Sequence, residues 1–345
     1  MANDEVWDDV KRVVDFWVAL GADGFRVDAA TLMFNGMDDG PSFEERFDDL
    51  RAYLRRRAPH VALLAEADVT GDKIARYFDG DRFDLLYGFL ANNAFYLSLV
   101  RECATPLLTA VDGLRTAVGR GRFLNFVRNL DELDLGQLTD EERNEVLHAL
   151  APDEFMQIYG RGIRRGWAPM MHSQAQLRMS MSLLFALPGV PLLMYGQEIG
   201  MGDDLSLDGR ATVRLPMQWN DGPAGGFSEN SESTIAALAR HGGARGYRRV
   251  NVEAQRDDPE SLLALTRDLA TLRRKHPSIG THEWERIEGE SEAVAILRFG
   301  DVVAAHNLSD SPRPIAGFSD AKTLLGDPID AGELPGYGFG WALQH

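Results

Sequence analysis

The chain has 345 residues, 44% of them hydrophobic and 26% charged, which is enough apolar material for one large domain and a small one. Its formal net charge of −17 would repel nucleic acid and anionic membranes alike, so a neutral ligand is the easier partner. The single cysteine, Cys103, excludes a disulfide framework or a cysteine metal site within one chain. The apolar stretch MSLLFALPGVPLLMYG is broken by Pro188 and Pro191 and is too short to span a membrane. The acidic opening MANDEVWDDV lacks the character of a secretion signal, and a reducing cytoplasm is the expected compartment. Only Lys11, Lys73, Lys275 and Lys322 are lysines among 36 basic residues, a bias that salt adaptation and a GC-rich genome would each produce.

From Glu5 to Leu20 the apolar residues Val6, Val10, Val13, Val14, Trp17 and Leu20 follow a helical period. Gly21 ends that helix, and GFRVDA follows as a short strand. SFEERFDDLRAYLRRRAP predicts a second helix, with Ser42 and Glu45 spaced for a capping box, and HVALLAEAD a second strand. FDLLYGF reads as a strand, Asn92 to Arg101 as a helix and RFLNFVRNLDE as another strand. QAQLRMSMSLLFAL then predicts a helix and PLLMYGQE a strand. Helices alternating with apolar strands at this spacing imply parallel strands with helical crossovers. A loop rich in Gly, Asp and Ser runs from about Gly200 to Gly246, followed by a helix from Pro259 to Lys275. Beyond it AVAILRF, VVAAHNL and KTLLGD are short alternating stretches, which suggests a small antiparallel β domain over 281–345 after an α/β domain over 1–280.

The acids fall in a pattern. Asp28 follows GFRV, Glu66 follows ALLA, Asp131 follows NFVRNL and Glu198 follows LLMYGQ. The carboxyl ends of parallel strands converge on one face, and there a site is built. A lone acid after a strand is ordinarily a helix cap or an arginine partner. Four of them, with Arg26 two residues before Asp28 and so on the same side of its strand, favour a site. Paired carboxylates without a cysteine or histidine cluster suit cleavage at an acetal carbon, where one carboxylate attacks and another acid protonates the leaving oxygen. No phosphate-binding or dinucleotide-binding glycine motif is present. His148 and His172 lack a Ser or Cys partner and read as packing or surface histidines, and the NLS at Asn307 reads as a chance glycosylation pattern.

These motifs resemble those of the α-amylase superfamily, glycoside hydrolase family 13. GFRVDA looks like its nucleophile motif, LLAEAD like its acid/base motif and VRNLDE like the motif usually written Asn-His-Asp. The resemblance implies Asp28 as nucleophile, Glu66 as acid/base, Asp131 as the third, sugar-binding carboxylate and Arg26 as the accompanying substrate-binding arginine. YGRGIRRGWAPM, YGQEIGMGDDLSLDGR, VRLPMQWNDGPAGGFS and VNVEAQRDDPESLL are similar to the trehalose synthase branch, which interconverts maltose and trehalose by glucosyl transfer. The implied fold is a (β/α)8 barrel followed by a C-terminal β-sandwich. The implied ligand is a small neutral α-glucoside, and the chemistry needs no cofactor.

The resemblance also exposes departures. GFRVDA corresponds to the fourth barrel strand yet begins about 24 residues into the sequence. Strands one to three, the inserted domain and the family's usual structural calcium site then have no counterpart. The expectation is a partial TIM barrel of strands 4–8 with raw edges, arising as a gene fragment, a late start or one half of a split protein with a complementary N-terminal half-barrel chain. Leu130 stands where the family carries a hydrogen-bonding histidine, and leucine cannot donate. Gln197 replaces an acid that often precedes the following glutamate. Three functions remain open: a trehalose-synthase-type transferase, an α-glucosidase or amylase-like hydrolase, and a non-catalytic truncated or degenerate chain.

Overall fold

The computed structural model describes residues 3–33, 42–115, 121–229, 243–281 and 283–344. The chain divides into two compact units, Met1–Leu90 with Val111–Asn125, and Ala91–Ala110 with Phe126–His345. The fold is α/β: a parallel sheet of the partial-barrel kind, followed by antiparallel sheets that form a small C-terminal β domain. Part of the expected glycine-rich loop, 230–242, lies outside the described residues. No helix among the described residues is long and apolar enough to cross a membrane.

In the first unit α1 (Asp4–Ala19) leads into β1 (Gly24–Val27), and α2 (Phe43–Arg57) into β2 (Ala62–Ala65). Strands β3 (Leu85–Tyr87) and β4 (Arg122–Phe126) follow. All pair in parallel: Val27 lies beside Ala65, Ala65 beside Leu86, and Tyr87 beside Leu124. The expected capping box opens α2. The Ser42 N–H donates to Glu45 Oε2 at 2.7 Å, and the Glu45 N–H donates to Ser42 Oγ at 3.2 Å. Beneath it Phe43, Phe47 and Phe83 pack as an aromatic cluster.

Helix α1 forms where expected but is rotated so that only part of the predicted stripe, Val14 with Val10 half-buried, packs inward. Trp7 and Val14 are buried, whereas Val13, Trp17 and Leu20 of the predicted apolar stripe are 55%, 51% and 66% exposed. Contacts on α2 decide the rotation. The Trp7 indole N–H donates to Asp49 Oδ2 at 2.8 Å and its ring meets Phe47 edge-on. Lys11 also pairs with Asp49, and Arg46 with Asp4 at 2.7 Å. These ties bury the Trp7 side and leave Val13, Trp17 and Leu20 in solvent, and β1, which follows in the chain, is the end strand of its sheet.

The second unit holds most of α3 (Phe89–Arg101), the start of α4 (Thr105–Arg115), then α5 (Asp140–Leu150), α6 (Gln174–Ala186), strand β5 (Val190–Leu192) and α7 (Leu262–Lys275). The last helix begins three residues later than predicted, because Ser261 caps it and its Oγ accepts the Ala264 N–H at 3.1 Å. Strands β6 (Val294–Phe299), β7 (Val302–Asn307), β8 (Lys322–Gly326) and β9 (Phe339–Leu343) make the antiparallel sheet in the order β8-β9-β7-β6, with a short strand Glu285–Arg286 on its β6 edge. Val294, Ile296, Val303, Ala305, Ile315 and Leu334 form its core.

A buried polar triad ties α6 to this sheet. Trp341 Nε1 donates to Ser182 Oγ at 2.8 Å, and Ser182 Oγ lies 2.9 Å from His306 Nε2. The hydroxyl accepts from the indole and meets the imidazole as donor or acceptor according to the ring's tautomer. Burial lowers the His306 pKa to about 3. The ordinary value is about 6.5, so as pH falls the unfolded chain takes up this proton first. Stability present above pH ~6.5 is then lost at up to about 1.4 kcal/mol per pH unit as pH drops towards the folded value. Urea titrations between pH 7 and 5 are expected to show this slope, and His306→Gln should flatten it by about one proton.

Candidate active site

Asp28 and Glu66 follow directly on the neighbouring strands β1 and β2, and the paired backbone carries both into one place. The Glu66 N–H donates to the Val27 carbonyl at 3.0 Å and the Ala30 N–H to the Glu66 carbonyl at 2.8 Å. Arg26 joins the two acids. Its Nη1 lies 2.9 Å from Asp28 Oδ1 and its Nη2 2.6 Å from Glu66 Oε2. The Ala29 N–H adds a third contact, to Glu66 Oε2 at 3.1 Å, with Ala29 in the left-handed region at φ 43°. The guanidinium also lies 5.8 Å from the centre of the Tyr87 ring, at the end of β3. Burial works against the Arg26 charge, but Glu66 above all, then Tyr87 and Asp28, outweigh it and raise its pKa. Asp28 is 75% exposed at its side chain and Glu66 15%, so one carboxylate is open and the other sheltered.

Asp131 lies in the second unit and is reached differently from the prediction. The strand through RFLNFVRNLDE stops at Phe126. Side chains take the next carbonyls in place of a neighbouring strand: Asn92 Nδ2 donates to Phe126 O at 2.7 Å, and the Tyr96 hydroxyl donates to Val127 O at 2.6 Å. Residues 127–132 form a loop around Arg128, which is 1% exposed. Its guanidinium donates to the carbonyls of Arg165 and Asn129, each at 2.9 Å, and to that of Asp131. Burial lowers the Arg128 pKa to about 10, so it remains a cation. The Asp131 N–H donates to Asn129 Oδ1 at 3.1 Å.

Two arginines that the motif reading did not single out hold the Asp131 carboxylate. Arg210 Nη1 and Arg214 Nη2 both lie 2.9 Å from its Oδ1. Arg210 Nε pairs with Glu132 Oε2 at 2.6 Å, and its guanidinium stands 5.6 Å from the centre of the Tyr159 ring. Arg214 Nε donates to the Leu130 carbonyl at 2.8 Å. Leu130 is 40% exposed and contributes its backbone acceptor. Both arginines stand in phrases already quoted, DLSLDGR and VRLPMQW; their approach to residue 131 from about 80 residues away left no local trace.

Glu198 is not at a strand end. Strand β5 stops at Leu192, and Glu198 sits on a 3-10 turn, Gln197–Ile199, between Gly196 and Gly200, both in the left-handed region. A Cβ on Gly196 would meet Met201 Sδ at 2.2 Å, so the turn needs glycine there. Gln197 is buried and structural: its Nε2 donates to Arg128 O at 3.2 Å and its Oε1 accepts the Met194 N–H at 2.8 Å. Burial raises the Glu198 pKa. Arg26, Asp28 and Glu66 thus meet in the first unit, Asp131 meets two arginines in the second, and Glu198 belongs to a separate turn. No group of three His, Cys, Asp or Glu among the described residues is arranged to hold a metal ion.

Adjacent parallel strands ending in carboxylates, followed by an antiparallel β domain, define a partial-barrel α/β protein with a cluster of acids at its strand ends. The model for the alpha amylase catalytic domain matches residues 164–282. The trehalose synthase/amylase TreS of Mycobacterium tuberculosis is 34% identical over 333 residues, covering 91% of this chain and 55% of the relative. The trehalose synthase of Thermus thermophilus is 35% identical over 282 residues, covering 80% and 29%. The crystal structure of an alpha-amylase from H. orenii superposes with a TM-score of 0.74 at 20% identity, over 99% of this chain and 65% of that one, and shows the shared fold. The chain belongs to the α-amylase superfamily, glycoside hydrolase family 13, in its trehalose-synthase-like branch. It spans less than two thirds of the length of these relatives.

Arg26 bears on the acid set directly. Arg26→Leu is expected to lower stability by about 1–3 kcal/mol, since Glu66 loses its cation while remaining sheltered. Arg26→Lys should recover only part of that, because a single ammonium cannot fork between two carboxylates. Urea denaturation of the three proteins checks both.

Proposed function

We propose that this chain carries an α-glucoside site that works by retaining double displacement, on maltose or trehalose as in the trehalose synthases to which it is similar. The observation that carries the reading is the Arg26 fork between Asp28 and Glu66 on adjacent strands. Neighbouring strands stand about 4.8 Å apart, close to the ~5 Å separation of two carboxyl groups that retention requires. Asp28, the exposed acid, attacks the anomeric carbon. Glu66 gives its proton to the departing glycosidic oxygen, and a glucosyl–Asp28 ester forms. Glu66 then takes the proton of the incoming hydroxyl as that hydroxyl displaces Asp28. When the acceptor is the released glucose the product is the isomeric disaccharide; when it is water the product is glucose. Asp131 binds sugar hydroxyls, and Arg26 positions the two reacting acids. The substrate is neutral, in keeping with a net charge of −17.

Asp28→Asn should lower turnover of maltose by about 10⁴-fold or more, as loss of a nucleophile does, read as glucose and trehalose formation. Unchanged turnover in that variant would end the assignment. Trehalose as a product separates the transferase from an α-glucosidase or amylase-like hydrolase, which would yield glucose alone.

A second reading, a chain inactive by itself, is favoured by Leu130, by the exposed Val13, Trp17 and Leu20 of α1 and by the end position of β1 in its sheet. Leucine offers no donor to a sugar, and a lost transition-state hydrogen bond costs about 10²-fold in rate. On this reading a complementary barrel half covers the stripe and extends β1. Co-expression with strands one to three of a trehalose synthase should then give a stable complex and raise turnover, and Leu130→His should raise it further. A wild-type chain that turns over maltose unaided rules this reading out.

A further inference from the structure

Among the described residues two tyrosines, Tyr159 and Tyr337, lie in the left-handed region at φ 55° and 54°. That conformation is costly for a bulky side chain. Tyr337 serves the fold, since its hydroxyl donates to Glu102 Oε1 at 3.1 Å. Tyr159 is 65% exposed and adds little to any core.

Tyr159 and Gly160 (φ 69°) are the central residues of a tight turn, which the Arg161 N–H closes onto the Ile158 carbonyl at 3.4 Å. A turn with positive φ at both central positions favours asparagine or aspartate before the glycine. Tyrosine works against that preference. Strain of this kind persists only where the surroundings enforce it, and it gathers at functional sites.

Here the surroundings are firm. The turn joins strands Gln157–Ile158 and Gly162–Ile163, and the second of these pairs with Leu133–Asp134, which begins two residues after Asp131. The Leu135 N–H donates to the Arg161 carbonyl at 3.1 Å, and Arg161 Nη2 lies 2.7 Å from Asp134 Oδ2. A Cβ on Gly162 would meet Glu132 Cγ at 3.1 Å, so the hairpin lies close upon the residue that follows Asp131. Tyr159 is therefore fixed relative to the acid.

Arg210 connects the two directly. Its guanidinium stands over the Tyr159 ring, 5.6 Å from the centre, while Nη1 lies 2.9 Å from Asp131 Oδ1 and Nε 2.6 Å from Glu132 Oε2. With a cation over one face, an exposure of 65% leaves the other face to solvent. Open aromatic surface thus stands one guanidinium away from Asp131. A pyranose carries hydroxyls around its rim and apolar C–H groups on its faces. The carboxylate suits the first and the ring the second, the pairing of aromatic surface with a few placed polar groups that small-ligand sites use.

We infer that Tyr159 is a substrate-binding residue of the Asp131 site, an aromatic platform against which a glucosyl unit packs while Asp131 takes its hydroxyls. The identity of the sugar rests on the α-glucoside reading above; the role of Tyr159 rests on the strained turn and its place beside Asp131. The test is calorimetric titration of maltose into the full chain carrying Asp28→Asn, so that turnover plays no part, with Tyr159→Asn or Tyr159→Phe added. Tyr159→Asn is expected to weaken binding about tenfold, the size of a good aromatic contact. It should also raise the melting temperature, because asparagine suits the left-handed turn position. Tyr159→Phe keeps the ring and should bind nearly as the parent does. A lower melting temperature in Tyr159→Asn would show that the tyrosine serves the hairpin, and undiminished binding would show that its ring meets no sugar. Either result overturns the inference, as does loss of binding in Tyr159→Phe or absence of binding by the parent at millimolar maltose. Maltose bound in this Tyr159-dependent way by a chain whose wild type never turns it over would sink the catalytic reading and leave this one standing.

Discussion

The proposed chemistry depends on the Arg26 fork. When both acids are ionised, as after Glu66 has given up its proton, they carry like charge and would repel one another at the ends of adjacent strands. One guanidinium placed two residues before Asp28 offsets both, and its planar geometry suits two separate acceptors. The strand pairing decides who meets whom: with Val27 beside Ala65, the next residues out are the two acids. Tyr87 on the third strand lies close to the same cation, so three successive strand ends contribute to one cluster.

The second unit solves a related problem by other means. Asp131 lies past the end of its strand, in a loop that no sheet neighbour supports. A buried Arg128 stands in for that neighbour by donating to the loop's carbonyls from inside, and Gln197 accepts part of the same task. Arg210 and Arg214 then hold the carboxylate from the outer side. With so few lysines in the chain, the forked guanidinium recurs wherever two carboxylates or several carbonyls must be gathered. Leu130 fits into this arrangement through its backbone oxygen, which Arg214 uses. An apolar side chain is tolerated there because the local order comes from main-chain acceptors.

Much of the fold was legible in the sequence because its signals are local. The capping box at Ser42 and Glu45, the α6 and α7 helices, and the alternating strands of the C-terminal sheet each declare themselves within a dozen residues. The Asp28 and Glu66 placement was legible for the same reason, since each acid follows its own apolar strand. Asp131 and Glu198 were placed less well. The strand before Asp131 was ended by Asn92 and Tyr96, more than 30 residues earlier in the chain, and Glu198 was carried onto a turn by two glycines whose backbone state no periodicity reports.

By itself the sequence determined the alternation of helix and strand, the family motifs and the acid that closes each of the first two strands, because period and spacing are properties of short segments. Tertiary structure alone decided which side of α1 is buried and which arginines hold Asp131. Each of those outcomes depends on partners brought together from distant parts of the chain. The apolar stripe on α1 has the same helical period whichever side packs, and the α2 contacts of Trp7, Lys11 and Asp4 break that symmetry.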